Sequence, residues 1–357
     1  MTAISRRASL NRVHSKSALL AAAFVTLAGT PGMSGAHHSN APHYDRDKPI
    51  TIEGVVTAFE FVNPHAFLHI ATQDENGQQV VWDCEMQAAN TLGRQGWTKQ
   101  QFVPGQRVTV SGIAARRDPL GCSYTSAVME DGTSLARTGQ IVPPKTPVEA
   151  ERAAFLDGGA PNLAGPWMRD QRRPQGGSGP GSGPPAEESF TAEGLAANAN
   201  YDQRFDDPSF ECSAASISRA WGEPGTPTDI EQTTDRVVIR HEYMDTVRTV
   251  RLAREHAENP TPRVFGHSIG WYEGSTLVID TVGFTPGVLT PHPGILHSDA
   301  LHMIERITAN PDGPSLDLEW TAEDPKYFKV PLTGSNHYVL SPYPVGLYGC
   351  TREHADR

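Results

Sequence analysis

The sequence has no apolar run that approaches the roughly 18 residues a membrane helix needs. It also has no basic stripe with interleaved aromatic residues, and a formal net charge of −11 would repel phosphate backbones. A glycine fingerprint for nucleotides and a c-type haem motif are both missing. We therefore expect no transmembrane segment, no nucleic-acid partner, and no nucleotide or haem cofactor.

Cysteine is scarce, with four residues and no CxxC pair. Cysteines that stand singly in an exported chain favour disulfides over zinc ligands. Three pairings are open. We favour one bridge in each half of the chain, which pairs Cys84 with Cys122 and Cys212 with Cys350.

The first 36 residues have the features of a cleavable export signal. Arg6 and Arg7 precede an apolar stretch over residues 18–28, and small residues end the segment at Ala36. The twin arginine partly matches the signal of proteins exported in folded form, so both that route and the general secretory route stay open. We predict a periplasmic or secreted protein.

The rest of the chain divides by composition into two β-rich parts. Residues 37–138 contain short strand patterns with one helical stretch over 86–95, which suits a small OB-like barrel. Residues 139–160 are typical of a linker. Residues 161–357 contain a Gly/Pro/Ser-rich loop over 172–188, then recurring strands without long helices. This pattern predicts an all-β protein whose second domain is an antiparallel, lipocalin-like meander.

Two sets of motifs carry a family resemblance. Ala36-His37-His38-Ser39, Val62-Asn63-Pro64-His65-Ala66 and Gly96-Trp97-Thr98 resemble an uncharacterised family of exported OB-like bacterial domains. The segments 266–274, 280–284 and 297–302 are similar to a second uncharacterised exported family, which occurs alone or fused to the first. The resemblance implies export and a β fold, and it brings no established reaction.

Gly266-His267-Ser268-Ile269-Gly270 satisfies the G-x-S-x-G pattern of the hydrolase nucleophile elbow. That elbow needs a strand that turns sharply into a helix. Residues 271–280 instead predict a hairpin, so we interpret the two glycines as turn or bulge residues.

Strand parity places several polar side chains on apolar faces, because residues two apart in a strand share a face. His241, Tyr243, Arg248, Asp280 and Glu305 would then converge on the interior of the second barrel as the polar groups of a ligand pocket. The alternatives are a buried Arg248–Glu305 ion pair and a turn-bonding Asp280. A β-bulge would reverse the parity.

Histidines suggest a second type of site. His267, His297 and His302 could bind a divalent metal across strands, although the helical His-Glu-x-x-His motif is absent. His37, as a mature N-terminus after cleavage, could bind copper.

We therefore expect an exported barrel that binds a small organic molecule and performs cofactor-independent acid/base chemistry of the isomerase, lyase or hydrolase type. The rivals are a Zn- or Cu-binding envelope protein and a non-catalytic carrier. The predicted proton-transfer residues are His267, Asp280, His302 and Glu305, and the predicted substrate-binding residues are His241, Tyr243, Arg248 and Trp271.

Overall fold

A computed structural model describes residues 43–137, 153, 155–170, 172–173, 176–177, 185–311 and 314–352. These residues belong to one compact unit, which contains two β barrels and confirms the predicted all-β class. The predicted signal, most of the predicted linker and most of the Gly/Pro/Ser-rich loop lie outside the described residues. Among the helices of the described part, none is long and apolar enough to span a membrane.

Barrel 1 has the strand order and the helix position of an OB fold. Its elements are β1 (Tyr44–Glu60), β2 (Phe67–Gln73), β3 (Gln79–Glu85), α1 (Ala89–Arg94), β4 (Arg107–Ala115), β5 (Gly121–Met129) and β6 (Ser134–Ala136). β3 pairs in parallel with β5, which closes the first five strands in the order β1-β2-β3-β5-β4. This is the expected small OB-like barrel.

Alternation of apolar and polar residues builds the core of barrel 1. On β1, Ile52 and Val56 are buried while Thr51 and Glu53 face solvent, as the period of two requires. The predicted Cys84–Cys122 disulfide crosses the β3–β5 closure, where the two cysteines are register partners.

Barrel 2 is larger. Its elements are β7 (Gly165–Arg169), β8 (Gly176–Gly177), α2 (Ala192–Ala199), α3 (Gln203–Asp206), α4 (Ile217–Gly222), β9 (Thr228–Gln232), β10 (Arg236–His241), β11 (Thr246–Leu252), β12 (His267–Glu273), β13 (Thr276–Val282), β14 (Gly287–Thr290), β15 (Ile295–His297), β16 (His302–Ala309), β17 (Ser315–Glu323) and β18 (Leu332–Leu340). Nine strands close in the order β17-β16-β13-β12-β11-β10-β9-β7-β18, with β18 paired back to β17.

One seam of barrel 2 departs from the expected antiparallel meander. β11 and β12 pair in parallel, because residues 253–266 carry the chain back to the start of the next strand. A Cβ on Gly270 would lie 2.8 Å from the Val250 side chain on β11, so the close approach of these strands needs glycine. β12 then turns into β13 as a hairpin, so the G-x-S-x-G segment forms no nucleophile elbow.

α4 packs inside barrel 2. All six of its residues are buried, and Ser216 caps its N-terminus by accepting a hydrogen bond from the Arg219 amide. Trp221 projects into the core formed by the strands. The Trp221 indole therefore fills part of the interior that we expected to hold a ligand.

Residues 341–350, which we name the C-terminal strap, contact both barrels. The Asn63 and Asn90 side chains of barrel 1 donate to the carbonyls of Tyr348 (2.5 Å) and Leu347 (3.1 Å). The predicted disulfide between Cys212 and Cys350 fastens the end of the strap to barrel 2. An ion pair of 2.5 Å between Arg94 and the buried Glu242 joins the barrels beside it.

Candidate functional site

A cavity of about 210 Å³ lies between the two barrels, beside the strap. Ionisable side chains from both barrels line the cavity: His43, His65, Glu85, Arg137, Asp207, Arg219, Glu223 and His292. Met86, Met244 and Phe210 supply the apolar part of a lining in which polar groups predominate.

On the barrel 1 side, the loop between β1 and β2 carries His65 to the cavity. The Asn63 side chain holds this loop to α1, because its oxygen accepts from the Asn90 amide (3.2 Å) and its nitrogen donates to the Asn90 side chain (3.1 Å). Pro64 follows a cis peptide bond. In OB folds this first loop belongs to the ligand-binding face.

Glu85, at the end of β3, accepts hydrogen bonds from two directions. Tyr44 donates its phenolic hydrogen to one carboxylate oxygen, and His65 Nδ1 lies 2.8 Å from the other. Burial alone would raise the pKa of Glu85, but the His65 charge and these hydrogen bonds outweigh it and lower the pKa to about 2.

His65 is the accessible member of this Tyr44–Glu85–His65 chain, since its side chain is 47% exposed. Burial disfavours its charged form, but the charge and the hydrogen bond of Glu85 raise the pKa of His65 above its usual value. The carboxylate thus orients the ring and favours its protonated form, which is the arrangement of a general acid–base pair.

On the barrel 2 side, α4 supplies Arg219 and Glu223. The Arg219 guanidinium forms an ion pair with Glu223 and lies 4.8 Å from the centre of the Tyr243 ring. Burial raises the pKa of Tyr243, so its hydroxyl stays protonated and can donate to a ligand. Tyr243 is the one predicted site residue that lines the cavity.

His292 lies beside Arg219 in the same wall. Its Nε2 atom is 3.2 Å from the Gln203 side chain and 3.9 Å from Asp207. Burial, followed by the positive charge of Arg219, lowers the pKa of His292 to about 4. The cavity lining therefore includes a neutral imidazole, His292, as well as His65, whose protonated form is favoured.

Three of the predicted residues do meet inside barrel 2, as the parity argument expected. Arg248 donates to both oxygens of Glu305 (2.5 and 2.8 Å), and Trp221 donates its indole hydrogen to the same carboxylate (2.7 Å). His241 contacts the Trp221 ring edge-on at 4.8 Å, and its Nδ1 pairs with Thr228. Burial, with Arg248, lowers the pKa of His241 to about 3. This cluster is sealed by α4.

The expectation that Asp280 joins this interior is wrong. Ile279 is the register partner of Glu305, so Ile279 and Glu305 share the inner face while Asp280 lies on the outer one. There its carboxylate lies 3.0 Å from the Nε2 atoms of both His302 and His256. The predicted catalytic residues are thus divided between two faces of the wall.

The remaining predicted residues have local partners. His267 donates to the Thr261 carbonyl (2.7 Å), and Trp271 donates to Glu273 (2.8 Å). The buried His297 donates to the Ser298 carbonyl (2.9 Å), and burial lowers its pKa.

The predicted metal set of His267, His297 and His302 is not brought together. In the part of the chain that the structure describes, no group of three His, Cys, Asp or Glu side chains could hold a metal ion. The predicted copper ligand His37 lies outside that part.

Sequence reasoning missed the cavity because its walls come from distant segments. The Val62-Asn63-Pro64-His65-Ala66 motif contains His65 and could have indicated the cavity, but it was interpreted only as a family resemblance.

In a comparison with protein families, residues 23–122 match DUF6152, a family of unknown function. The match covers less than a third of the chain, and it includes Tyr44, His65 and Glu85. Among curated proteins, none matches the chain.

Proposed function

We propose that the protein binds a small polar organic molecule in the interbarrel cavity and exchanges a proton with it through His65. The observation that carries this proposal is the Tyr44–Glu85–His65 chain, in which a carboxylate fixed from two sides holds an accessible imidazole at the cavity wall. The imidazolium gives its proton to a basic atom of the ligand and recovers one from the product or from water. Such a step is part of isomerisation, elimination and hydrolysis alike.

The cavity supports this function better than the interior of barrel 2. Glu305 and Arg248 already neutralise each other and are almost fully buried, so they have little access to a ligand. The cavity offers donors of different kinds within one small space: an imidazolium, the Tyr243 hydroxyl and the Arg219 guanidinium.

The test is a ligand-observed NMR screen of small polar molecules with the full, disulfide-bonded protein. We expect at least one ligand whose binding or turnover changes in His65→Gln and stays unchanged in His337→Gln. His337 is a suitable control because it pairs with Asp317 on barrel 2 and does not line the cavity. Binding without turnover would assign a carrier, and binding unaffected by His65→Gln would refute the proposed role of the histidine.

We also propose that the protein is exported. The N-terminal pattern of basic, apolar and small residues supports it, and two disulfides suit an oxidising compartment. N-terminal sequencing of the protein from cell fractions tests this proposal: a mature start near His37 is expected, and a retained Met1 would contradict it.

A further inference from the structure

α4 connects the buried cluster of barrel 2 to the interbarrel cavity. Residues two apart on a helix point to nearly opposite sides, and Trp221 and Arg219 are such a pair. Trp221 enters the barrel interior, whereas Arg219 lines the cavity. Any shift of the helix therefore moves the cavity wall.

Three contacts fix the Trp221 side of α4. Glu305 accepts the indole hydrogen (2.7 Å), and Arg248 holds that carboxylate by two hydrogen bonds. Tyr338 donates its hydroxyl to the Trp221 carbonyl (2.5 Å) and packs edge-on against the ring at 5.3 Å. The carboxylate is fully buried, so its orientation is set by these donors and not by water.

Other contacts hold the start of α4, where the Ser216 and Ser218 hydroxyls donate to the Leu289 carbonyl (2.6 and 3.0 Å). Tyr243, under the Arg219 guanidinium, belongs to the turn after β10. Trp221 lies two residues beyond Arg219 at the other end of this short helix, so its anchoring bears on where Arg219 meets Tyr243.

We propose that Glu305 and Arg248 are positioning residues for the interbarrel site. Acting through Trp221, they set the place of α4 and hence of Arg219 in the cavity wall. This inference rests on the proposed function, because the positioning matters only if the cavity binds a ligand. It also gives a role to the Arg248–Glu305 ion pair, which is buried inside barrel 2.

The test compares Trp221→Phe with Trp271→Phe in the full protein. The first variant keeps an aromatic ring but removes the hydrogen donated to Glu305. The second also replaces an indole that donates to a carboxylate, that of Glu273, but on β12 and outside the cavity lining. Two NMR signals of the unliganded protein report the cavity wall: the Arg219 Nε–H resonance, which senses the ring current of Tyr243, and the titration of His292.

In Trp221→Phe we expect the Arg219 resonance to shift and the pKa of His292 to rise from about 4 toward its ordinary value of about 6.5. Trp271→Phe should leave both signals as in wild type. Unchanged signals in Trp221→Phe, or equal changes in both variants, would overturn the positioning role. If Trp221→Phe does not fold, Glu305→Leu combined with Arg248→Met removes the acceptor and both charges together and is judged by the same signals.

The result is separable from that of the ligand screen. Signals that move in Trp221→Phe while no molecule binds wild type would keep the positioning role and refute the proposed function. A ligand that binds wild type while the signals stay unchanged in Trp221→Phe would support the proposed function and refute the positioning role.

Discussion

Glu85 is the residue on which the chemistry of the cavity depends, because its charge is held by two donors at once. Its lowered pKa means that the stabilisation from the charged form is present above the unfolded pKa of about 4.3 and is lost as the pH falls toward 2. His65 behaves in the opposite sense. Its raised pKa gives stabilisation that is full below about 6.5 and is lost as the pH rises through the folded pKa. The pair therefore stabilises the fold most between about pH 4.5 and 6.5.

We expect Glu85→Gln to lower the free energy of unfolding by about 2 kcal/mol inside this window, a typical value for hydrogen bonds to a charged group. The loss should shrink on both sides of the window. Urea unfolding at several pH values measures it, with Glu53→Gln on the exposed face of β1 as the matched control. A loss that does not vary with pH would contradict the coupling of Glu85 with His65.

The lowered pKa of His241 leads to a different dependence of stability on pH. His241 is buried and neutral with a pKa of about 3, so between about pH 6.5 and 3 the unfolded chain binds a proton that the folded chain does not. Lowering the pH through that range should therefore lower the free energy of unfolding, by on the order of 3 kcal/mol at pH 4 relative to pH 7. His241→Phe should remove this slope, measured as the urea midpoint from pH 7 to pH 4. An identical slope in the variant would assign the acid loss to other groups.

At the scale of elements, the C-terminal strap joins the two barrels through hydrogen bonds and through the buried Tyr348 side chain. The Asp245 carboxylate accepts the backbone amides of Tyr348 and Gly349, both at 2.8 Å. Tyr348 then packs edge-on against Tyr243 at 5.6 Å and completes the cavity wall.

We expect Asp245→Ala to free these two amides and to speed their hydrogen exchange, because each hydrogen bond to a charged acceptor contributes about 1.5–3 kcal/mol. Exchange of amides inside β1 and β4 should stay unchanged. Asp157→Ala, an exposed aspartate outside the strap, is the control. Unaltered exchange at Tyr348 and Gly349 would show that the disulfide alone fixes the strap.

Individual strands were predictable from the sequence, since they follow from local patterns, and the favoured disulfide pairing followed from the division of the chain into two parts with two cysteines each. β12 and β13 appear where alternation and the turn at Gly274 predicted them. The face of Asp280 was not predictable, because Val278 and Val282 made the outer side of β13 look as apolar as the inner side. That outer face is partly covered by residues 253–266, which contribute His256. The cavity could not be predicted from the sequence for the same reason, because its walls depend on how distant elements pack.

For the whole molecule, closure of barrel 2 depends on β7, which precedes all its other strands. β7 pairs with β9 on one side and with β18 on the other. Its removal would expose two strand edges, which are templates for aggregation.

We predict that a fragment that begins at residue 185 aggregates, whereas one that begins at residue 161, the predicted domain start, stays monodisperse. Size-exclusion chromatography after refolding compares the two. A soluble, well-dispersed fragment without β7 would show that the barrel tolerates an open seam.

The Cys212–Cys350 bond spans 138 residues, so most of barrel 2 lies within a covalent ring. One peptide-bond cleavage anywhere in that ring leaves a single molecule whose mass on a non-reducing gel differs from that of the intact chain only by a water. Proteases must therefore cut twice, or act together with a reductant, before any part of the ring is shed.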